Sequence, residues 1–198
     1  MTAYVIGLDP SLTATGSARI TQDGDVQLAH FGRKGRRDES LVSRADRVRG
    51  IVMDATDWVH SEPLDASSDE WTDWGWPEVV AIEGMSYGSQ GGSAQDRAHL
   101  WWELVGHFVG PVAAVPVVEV APSVRAKWAT GRGNADKGAV AAAMARLWPA
   151  VEIDCDNCAD ALALASIAAG RLGWIDTTKA RRDAVAKVAW PADLGEAA

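Results

Sequence analysis

The order in which strands and helices are predicted to follow one another constrains the fold of this sequence more than any other feature. The first three predicted strands are joined by short turns and cover residues 4–8, 15–21 and 26–31. Two later apolar strands, residues 79–82 and 115–120, alternate with segments of helical periodicity. Strands joined by hairpins are antiparallel, whereas strands joined through helices are parallel. The sequence therefore predicts an α/β fold with one central, mixed, five-stranded sheet flanked by helices.

Helical spacing of apolar residues recurs in the segments between and after these strands. The predicted helices cover residues 40–60, 94–109, 122–128, 135–147 and 157–172. Ser40 is a suitable N-cap for the first of them. The length of 198 residues fits one domain, which we place at residues 1–175. Within this domain, residues 61–77 form an acidic, tryptophan-rich insertion. Residues 176–198 follow the domain as a peripheral tail.

Charge at first argues against a nucleic-acid partner, because the net charge is −8 and the isoelectric point is about 4.9. The acidic residues, however, are unevenly distributed along the chain. Residues 61–78 contain six acidic residues and no Lys or Arg, whereas residues 33–49 contain seven basic residues against three acidic ones. A basic face can exist on such a protein, although both runs also fit ordinary solvated surface.

Two cysteines, Cys155 and Cys158, argue against a disulfide framework and fit a reducing cytoplasm. Because the four histidines are scattered along the chain, we do not expect these thiols to bind zinc. Neither a signal peptide nor an apolar run long enough for a membrane helix is visible, so no membrane partner is expected.

Three acidic residues stand where predicted buried elements reach the surface. Asp9 ends the first strand, Glu83 ends the fourth, and Asp160 lies early on an almost purely apolar helix. A carboxylate in such a place is costly unless it is paired or bound to a cation. Taken singly, each also fits a simpler role, as a turn residue, a loop residue or a charge at a helix N-terminus.

Oxygen ligands from three separate elements, without a histidine cluster, favour Mg²⁺, for which Mn²⁺ can substitute. Two such ions about 3.5–4 Å apart can clamp a phosphodiester, activating the attacking water and stabilising the leaving oxygen. The pattern therefore indicates metal-assisted phosphodiester hydrolysis.

Four motifs resemble those of RuvC-type Holliday-junction resolvases, which are members of the ribonuclease H-like superfamily. They appear in the family's order over about residues 3–172 and read IGLDPSLTATG from Ile6, AIE ending at Glu83, VAPSVRAKWATGRGNADK from Val120 to Lys137, and NCADALA from Asn157. The resemblance implies a ribonuclease H-like fold, a homodimer, and Mg²⁺-dependent cleavage of branched DNA that leaves 5′-phosphate products.

Carried over by position, the resemblance implies that Asp9, Glu83 and Asp160 are catalytic metal ligands. Asn157 stands where the family often has a second Asp. Register favours Asn157 as the fourth ligand, whereas charge favours its neighbour Asp156.

The resemblance also implies residues that contact DNA. Lys127, Arg132 and Lys137 belong to the basic loop and would contact phosphate, and Lys137 would also stabilise charge at the scissile group. Tyr87 is expected to stack on bases at the junction centre. Ordinary exposed side chains remain the alternative reading of these residues.

Three functions are compatible with the sequence. The first is a structure-selective endodeoxyribonuclease that cleaves Holliday junctions or other branched DNA. The second is a nuclease for other replication intermediates or RNA–DNA hybrids. The third is a non-catalytic DNA-binding relative, suggested by Asn157 and the acidic charge.

Overall fold

A computed structural model describes residues 2–63, 71–73, 75–85, 94–110 and 113–194 of the chain. The strands are β1 (Tyr4–Asp9), β2 (Thr15–Thr21), β3 (Val26–Phe31), β4 (Ser61–Pro63), β5 (Trp71–Asp73), β6 (Val79–Glu83) and β7 (Val117–Val120). The helices are α1 (Leu41–His60), α2 (Ala94–Val109), α3 (Pro122–Thr130), α4 (Lys137–Leu147), α5 (Asp156–Arg171) and α6 (Lys179–Val185), and a 3₁₀ turn spans Ala192–Leu194.

The central sheet has the strand order β3-β2-β1-β6-β7. The first three strands pair antiparallel, and β1, β6 and β7 pair parallel. This confirms the predicted mixed five-stranded sheet. Because β1 and β6 run side by side in the same direction, their carboxyl ends, Asp9 and Glu83, lie at the same edge of the sheet.

Helices cover both faces of the sheet, and the alternation of side chains along β1 separates two cores. Tyr4, Ile6 and Leu8 pack with residues of α1 and α2. Val5 faces the other way and packs in the cluster that contains α5 and residues of α3 and α4. Gly7 and Asp9 follow Val5 at intervals of two, so they belong to the α5 side.

Helix α5 lies against the sheet without space for a side chain at two positions. A Cβ on Gly7 would stand 2.1 Å from the carbonyl oxygen of Ala161, and one on Gly16 would stand 2.1 Å from that of Asn157. The buried residues of α5 run without a break from Cys158 to Ala169 and are mostly Ala and Leu. Small residues on both sides thus bring the first turns of α5 onto β1 and β2.

Several element bounds differ from those expected from the sequence. The helix predicted from residue 135 begins at Lys137, because the Asp136 side chain caps it by accepting from the Ala139 amide at 2.8 Å. The helix expected from residue 157 begins one residue earlier. Ser40 accepts from the Ser43 amide at 3.1 Å, as an N-cap does.

The cysteines also differ from expectation, because Cys155 and Cys158 are joined in a disulfide. Cys155 is the N-cap of α5 and Cys158 lies one turn later, which leaves their Cα atoms 5.2 Å apart, within the range of such bonds.

Across the described residues, no helix has both the length and the apolar character needed to cross a bilayer.

Candidate metal centre

Asp9, the last residue of β1, is 7% exposed and is paired in the sheet register with Gly16. Its place on the α5 side of the sheet follows from the alternation along β1. Because Gly7 and Gly16 let α5 approach so closely, the first turns of that helix lie directly over this end of the strand.

Glu83 and Asp160 reach the same region from two other elements. Glu83 ends β6, the parallel neighbour of β1, and its carbonyl oxygen accepts from the indole of Trp101 at 2.8 Å. Asp160 lies on α5 and is 1% exposed. The three carboxylates that the sequence predicted to be neighbours therefore converge at one edge of the sheet.

Arg125, on α3, lies between two of these carboxylates. Its Nε donates to Oε1 of Glu83 at 2.5 Å, and its Nη1 donates to Oδ1 of Asp160. The guanidinium side chain is 8% exposed, so both ion pairs are shielded from water. One buried cation thus offsets part of the negative charge of the cluster.

Burial dominates the acid–base behaviour of the cluster. It raises the pKa of Asp9 well above the ordinary value, and the charge of Glu83 and a hydrogen bond to its side chain raise it further. Burial also raises the pKa of Asp160 to about 6, although Arg125 opposes the shift. The effect of desolvation on the pKa of Asp160 is larger than the opposing effect of Arg125. A further cation would therefore stabilise the ionised carboxylates.

The three acidic side chains are linked in pairs, and their oxygen atoms do not surround a single ion position. Among the described residues, the one group of His, Cys and acidic side chains whose ligand atoms all lie within 4.8 Å of one another is His30, Asp154, Cys155 and Cys158. Arg125 separates Glu83 from Asp160, while Asp9 and Glu83 share a hydrogen bond.

The two proposed fourth ligands have different surroundings. Asn157 is half-buried, and its amide donates to the carbonyl of Ala14 and accepts from Nζ of Lys137 at 3.0 Å. Asp156 is exposed, and its charge contributes to the raised pKa of Asp160. Lys137, at the start of α4, lies near enough to Asp160 to favour its ionised form.

The structure describes two of the three other residues predicted to contact DNA. Lys127 and Arg132 are exposed on α3 and on the loop that follows it, outside the carboxylate cluster. Tyr87 lies outside the described residues.

A basic groove adjoins the loop that follows Asp9. It encloses about 460 Å³ and is lined by residues 11–13 together with basic side chains that include Arg36 and Arg37. Part of the basic run is neutralised locally, because Arg44 and Arg47 both pair with Asp96, at 2.6 and 2.9 Å.

Arg125 is the site residue that sequence reasoning missed. The sequence analysis placed it on a short helix and assigned it no role. One signal was available, since Arg125 stands one turn before Ala129, which is buried. A charged residue on the buried face of a helix needs a partner of opposite charge.

Known proteins resemble this chain in both sequence and structure. The crossover junction endodeoxyribonuclease RuvC of Zymomonas mobilis is 31% identical over 161 residues, which cover 81% of this chain and 86% of the relative. The chain belongs to the RuvC family. RuvC of Parvibaculum lavamentivorans is 29% identical over 160 residues, 81% of this chain and 82% of the relative. No family model matches the chain.

Solved RuvC structures share the fold. Thermus thermophilus RuvC in complex with a Holliday junction substrate has a TM-score of 0.55 and 25% identity, covering 89% of this chain and 99% of that one. Another Thermus thermophilus RuvC structure has a TM-score of 0.57 and 21% identity, covering 88% of this chain and 99% of that one. A yeast mitochondrial Holliday junction resolvase has a TM-score of 0.51 and 15% identity, covering 83% and 78%. The ribonuclease H-like fold and the RuvC resemblance predicted from the sequence are both confirmed.

Proposed function

We propose that this RuvC family member is a metal-dependent endonuclease that cleaves Holliday junctions or closely related branched DNA. One observation carries the proposal. Asp9, Glu83 and Asp160, from three elements far apart in the chain, converge at one edge of the sheet.

The donor set fits a hard divalent cation. All three side chains offer carboxylate oxygens. Burial, and after it the charge of neighbouring carboxylates, raises the pKa of both Asp9 and Asp160, and Arg125 does not fully offset these effects. We propose Mg²⁺ as the natural ion, with Mn²⁺ as a substitute. When bound, two such ions supply an activated water and stabilise the leaving oxygen of the phosphodiester.

Asn157 is our choice for the fourth ligand. It lies against Ala14 and Gly16, beside the strand end that carries Asp9, whereas Asp156 is exposed. Its Oδ1 is held toward Lys137. Lys137 would then orient this oxygen in the absence of substrate and donate to the scissile phosphate when DNA is bound.

Arg125 would act as a resident cation for the acidic cluster. Its two ion pairs compensate Glu83 and Asp160 while no metal is held. Because it lies between the two carboxylates, they cannot share an ion until the guanidinium withdraws. Arg125 therefore positions the ligands and competes with the metal.

Branched DNA would lie over the basic groove and the exposed Lys127 and Arg132. Arg36 and Arg37 line the groove next to the loop after Asp9, so phosphates bound there would bring the backbone toward the carboxylates. A four-way junction contains two equivalent strands to cut, and Asp9, Glu83 and Asp160 of one chain can serve only one of them at a time. We therefore propose that the protein acts as a homodimer.

A panel of DNA substrates tests this function. Synthetic four-way junctions, duplexes, flaps and RNA–DNA hybrids are incubated with the full chain and Mg²⁺. The proposal expects symmetrically paired nicks in the junction and at least tenfold slower cleavage of linear duplex. Equal cleavage of all four substrates, or cleavage of hybrids alone, would reject it in favour of a general nuclease or a hybrid-specific one.

A further inference from the structure

A second group of metal-ligand side chains lies outside the carboxylate cluster, at the opposite end of the first turn of α5. It consists of His30, Asp154, Cys155 and Cys158, and one ligand atom from each lies within 4.8 Å of every other. The four residues come from two places in the chain. His30 is on the edge strand β3, and the other three surround the start of α5.

The spacing of these atoms suits tetrahedral coordination. The Nδ1 atom of His30 lies 3.9 Å from Sγ of Cys158 and 3.9 Å from Oδ2 of Asp154. In a tetrahedral zinc site, bonds of about 2.0–2.3 Å separate the ligand atoms by about 3.3–3.8 Å. Once the two sulfurs are no longer bonded to each other, the His30 nitrogen already lies close to the required distance from Cys158 and from Asp154.

The start of α5 fixes the position of Cys155. Cys155 is the N-cap of α5, and its sulfur accepts from the backbone amide of Cys158 at 3.1 Å. The His30 and Asp154 side chains are 48% and 61% exposed, so an ion can reach the group from solvent, whereas Cys158 is buried.

We propose that the reduced cysteine pair, with His30 and Asp154, binds one Zn²⁺ ion. In the structure the two sulfurs are bonded to each other. A dithiol or phosphine reductant supplies two electrons, and two protons complete the conversion of the disulfide to two thiols. Each thiol then releases its proton as its sulfur binds the cation.

A zinc ion here would tie the edge of the sheet to the helix that carries Asp160. The chain links the Cys158 backbone to Asn157 and, two residues on, to Asp160. The site would fix the start of α5 relative to β3 and take no part in phosphodiester chemistry. The inference is independent of the proposed nuclease function, because thiolate and imidazole ligands select a different ion from the carboxylates.

Cobalt titration tests the proposal on the full-length chain. The protein is reduced with a phosphine, excess Mg²⁺ is added to occupy carboxylate sites, and Co²⁺ is titrated while the visible and near-ultraviolet spectra are recorded. We expect one equivalent of Co²⁺ with tetrahedral visible bands and a thiolate charge-transfer band, and displacement by one equivalent of Zn²⁺. Absence of the charge-transfer band from the reduced protein would overturn the proposal.

Two variants and one control locate the ion. Cys155→Ser and His30→Ala should each weaken Co²⁺ binding at least tenfold, whereas His99→Ala, an exposed histidine on α2, should leave it unchanged. His30 lies on the surface of an edge strand, so its variant tests the site even if the cysteine variant does not fold. Binding that persists unchanged in both folded variants, or in His30→Ala alone, would overturn the assignment of these ligands.

Discussion

Arg125 donates from Nε to Oε1 of Glu83 at 2.5 Å, with the arginine side chain 8% and the glutamate side chain 16% exposed. The same guanidinium also reaches Asp160. This buried cation offsets part of the negative charge of the two carboxylates. Removing it would leave that charge buried without a partner.

Replacing Arg125 by Gln should therefore destabilise the metal-free protein by roughly 3–5 kcal/mol, the usual cost of removing one partner from a buried ion pair. Adding a divalent cation should raise the free energy of unfolding more in this variant than in the wild type. Chemical unfolding in EDTA and in Mg²⁺ measures both effects. Arg132→Gln, which changes an exposed arginine on the next loop, is the control. Equal losses in the two variants would refute the role given to Arg125.

The raised pKa of Asp160, about 6 against an ordinary value of 3.8, makes metal-free stability depend on pH. The folded protein holds this proton more tightly than the unfolded chain, so this group's contribution is present at low pH and is lost as the pH rises through about 6. Between about pH 4 and pH 7.5, Asp160→Asn should gain on the order of 1–3 kcal/mol relative to the wild type.

Urea unfolding in EDTA across that pH range measures the difference. Asp183→Asn, at an exposed carboxylate paired with Lys179, should run parallel to the wild type. A constant gap between Asp160→Asn and the wild type at all pH values would contradict the prediction.

Asn157→Asp tests which residue completes the metal site. The new carboxylate can still accept from Lys137 but cannot donate to the carbonyl of Ala14, so metal-free stability should fall by about 1–2 kcal/mol. Affinity for Mn²⁺, followed by calorimetry, should rise several-fold because a charged ligand replaces an amide. Asp156→Asn is the matched control and should change affinity less. The reverse ranking would assign the fourth ligand to Asp156.

The close approach of α5 to β1 is tested at Gly7. A Cβ there would meet backbone atoms, the oxygen of Ala161 at 2.1 Å and the nitrogen of Ala165 at 2.4 Å, which cannot turn aside as a side chain can. Gly7→Ala should cost at least about 3 kcal/mol or prevent folding. At Gly106, on α2, a Cβ meets nothing within 4 Å, so Gly106→Ala should be neutral or stabilising by up to about 1 kcal/mol. Thermal unfolding compares them, and similar melting temperatures would contradict the packing.

The sequence predicted the elements that depend on local patterns. Turn chemistry and apolar periodicity were sufficient to locate the five strands of the sheet and to predict its mixed topology. The same patterns placed Asp9 and Glu83 at the ends of their strands, and the parallel pairing of these strands brings the two residues to one edge. The site's buried cation was not predictable in this way. Arg125 becomes a partner of Glu83 and Asp160 only when α3 packs beside α5, and no local pattern encodes that contact.

The pairing of His30 with the two cysteines was missed for the same reason. In the chain, 125 positions separate Cys155 from His30, and the sequence analysis treated the histidines as scattered. Strand β3 brings His30 next to the start of α5 only through the order of the sheet, in which β2 lies between β3 and β1. Distances across a sheet depend on topology rather than on spacing along the chain.

Cleavage and binding of a synthetic four-way junction by Asp9→Asn and Glu83→Gln, each compared with the wild type and with Asp183→Asn, test the central claim most directly. If the carboxylates hold the catalytic cations, both substitutions should reduce the Mg²⁺-dependent cleavage rate by at least a thousandfold, or about 4 kcal/mol. Junction affinity should remain within a few-fold, and the control should cleave normally. Cleavage at the wild-type rate by either folded variant would contradict the account.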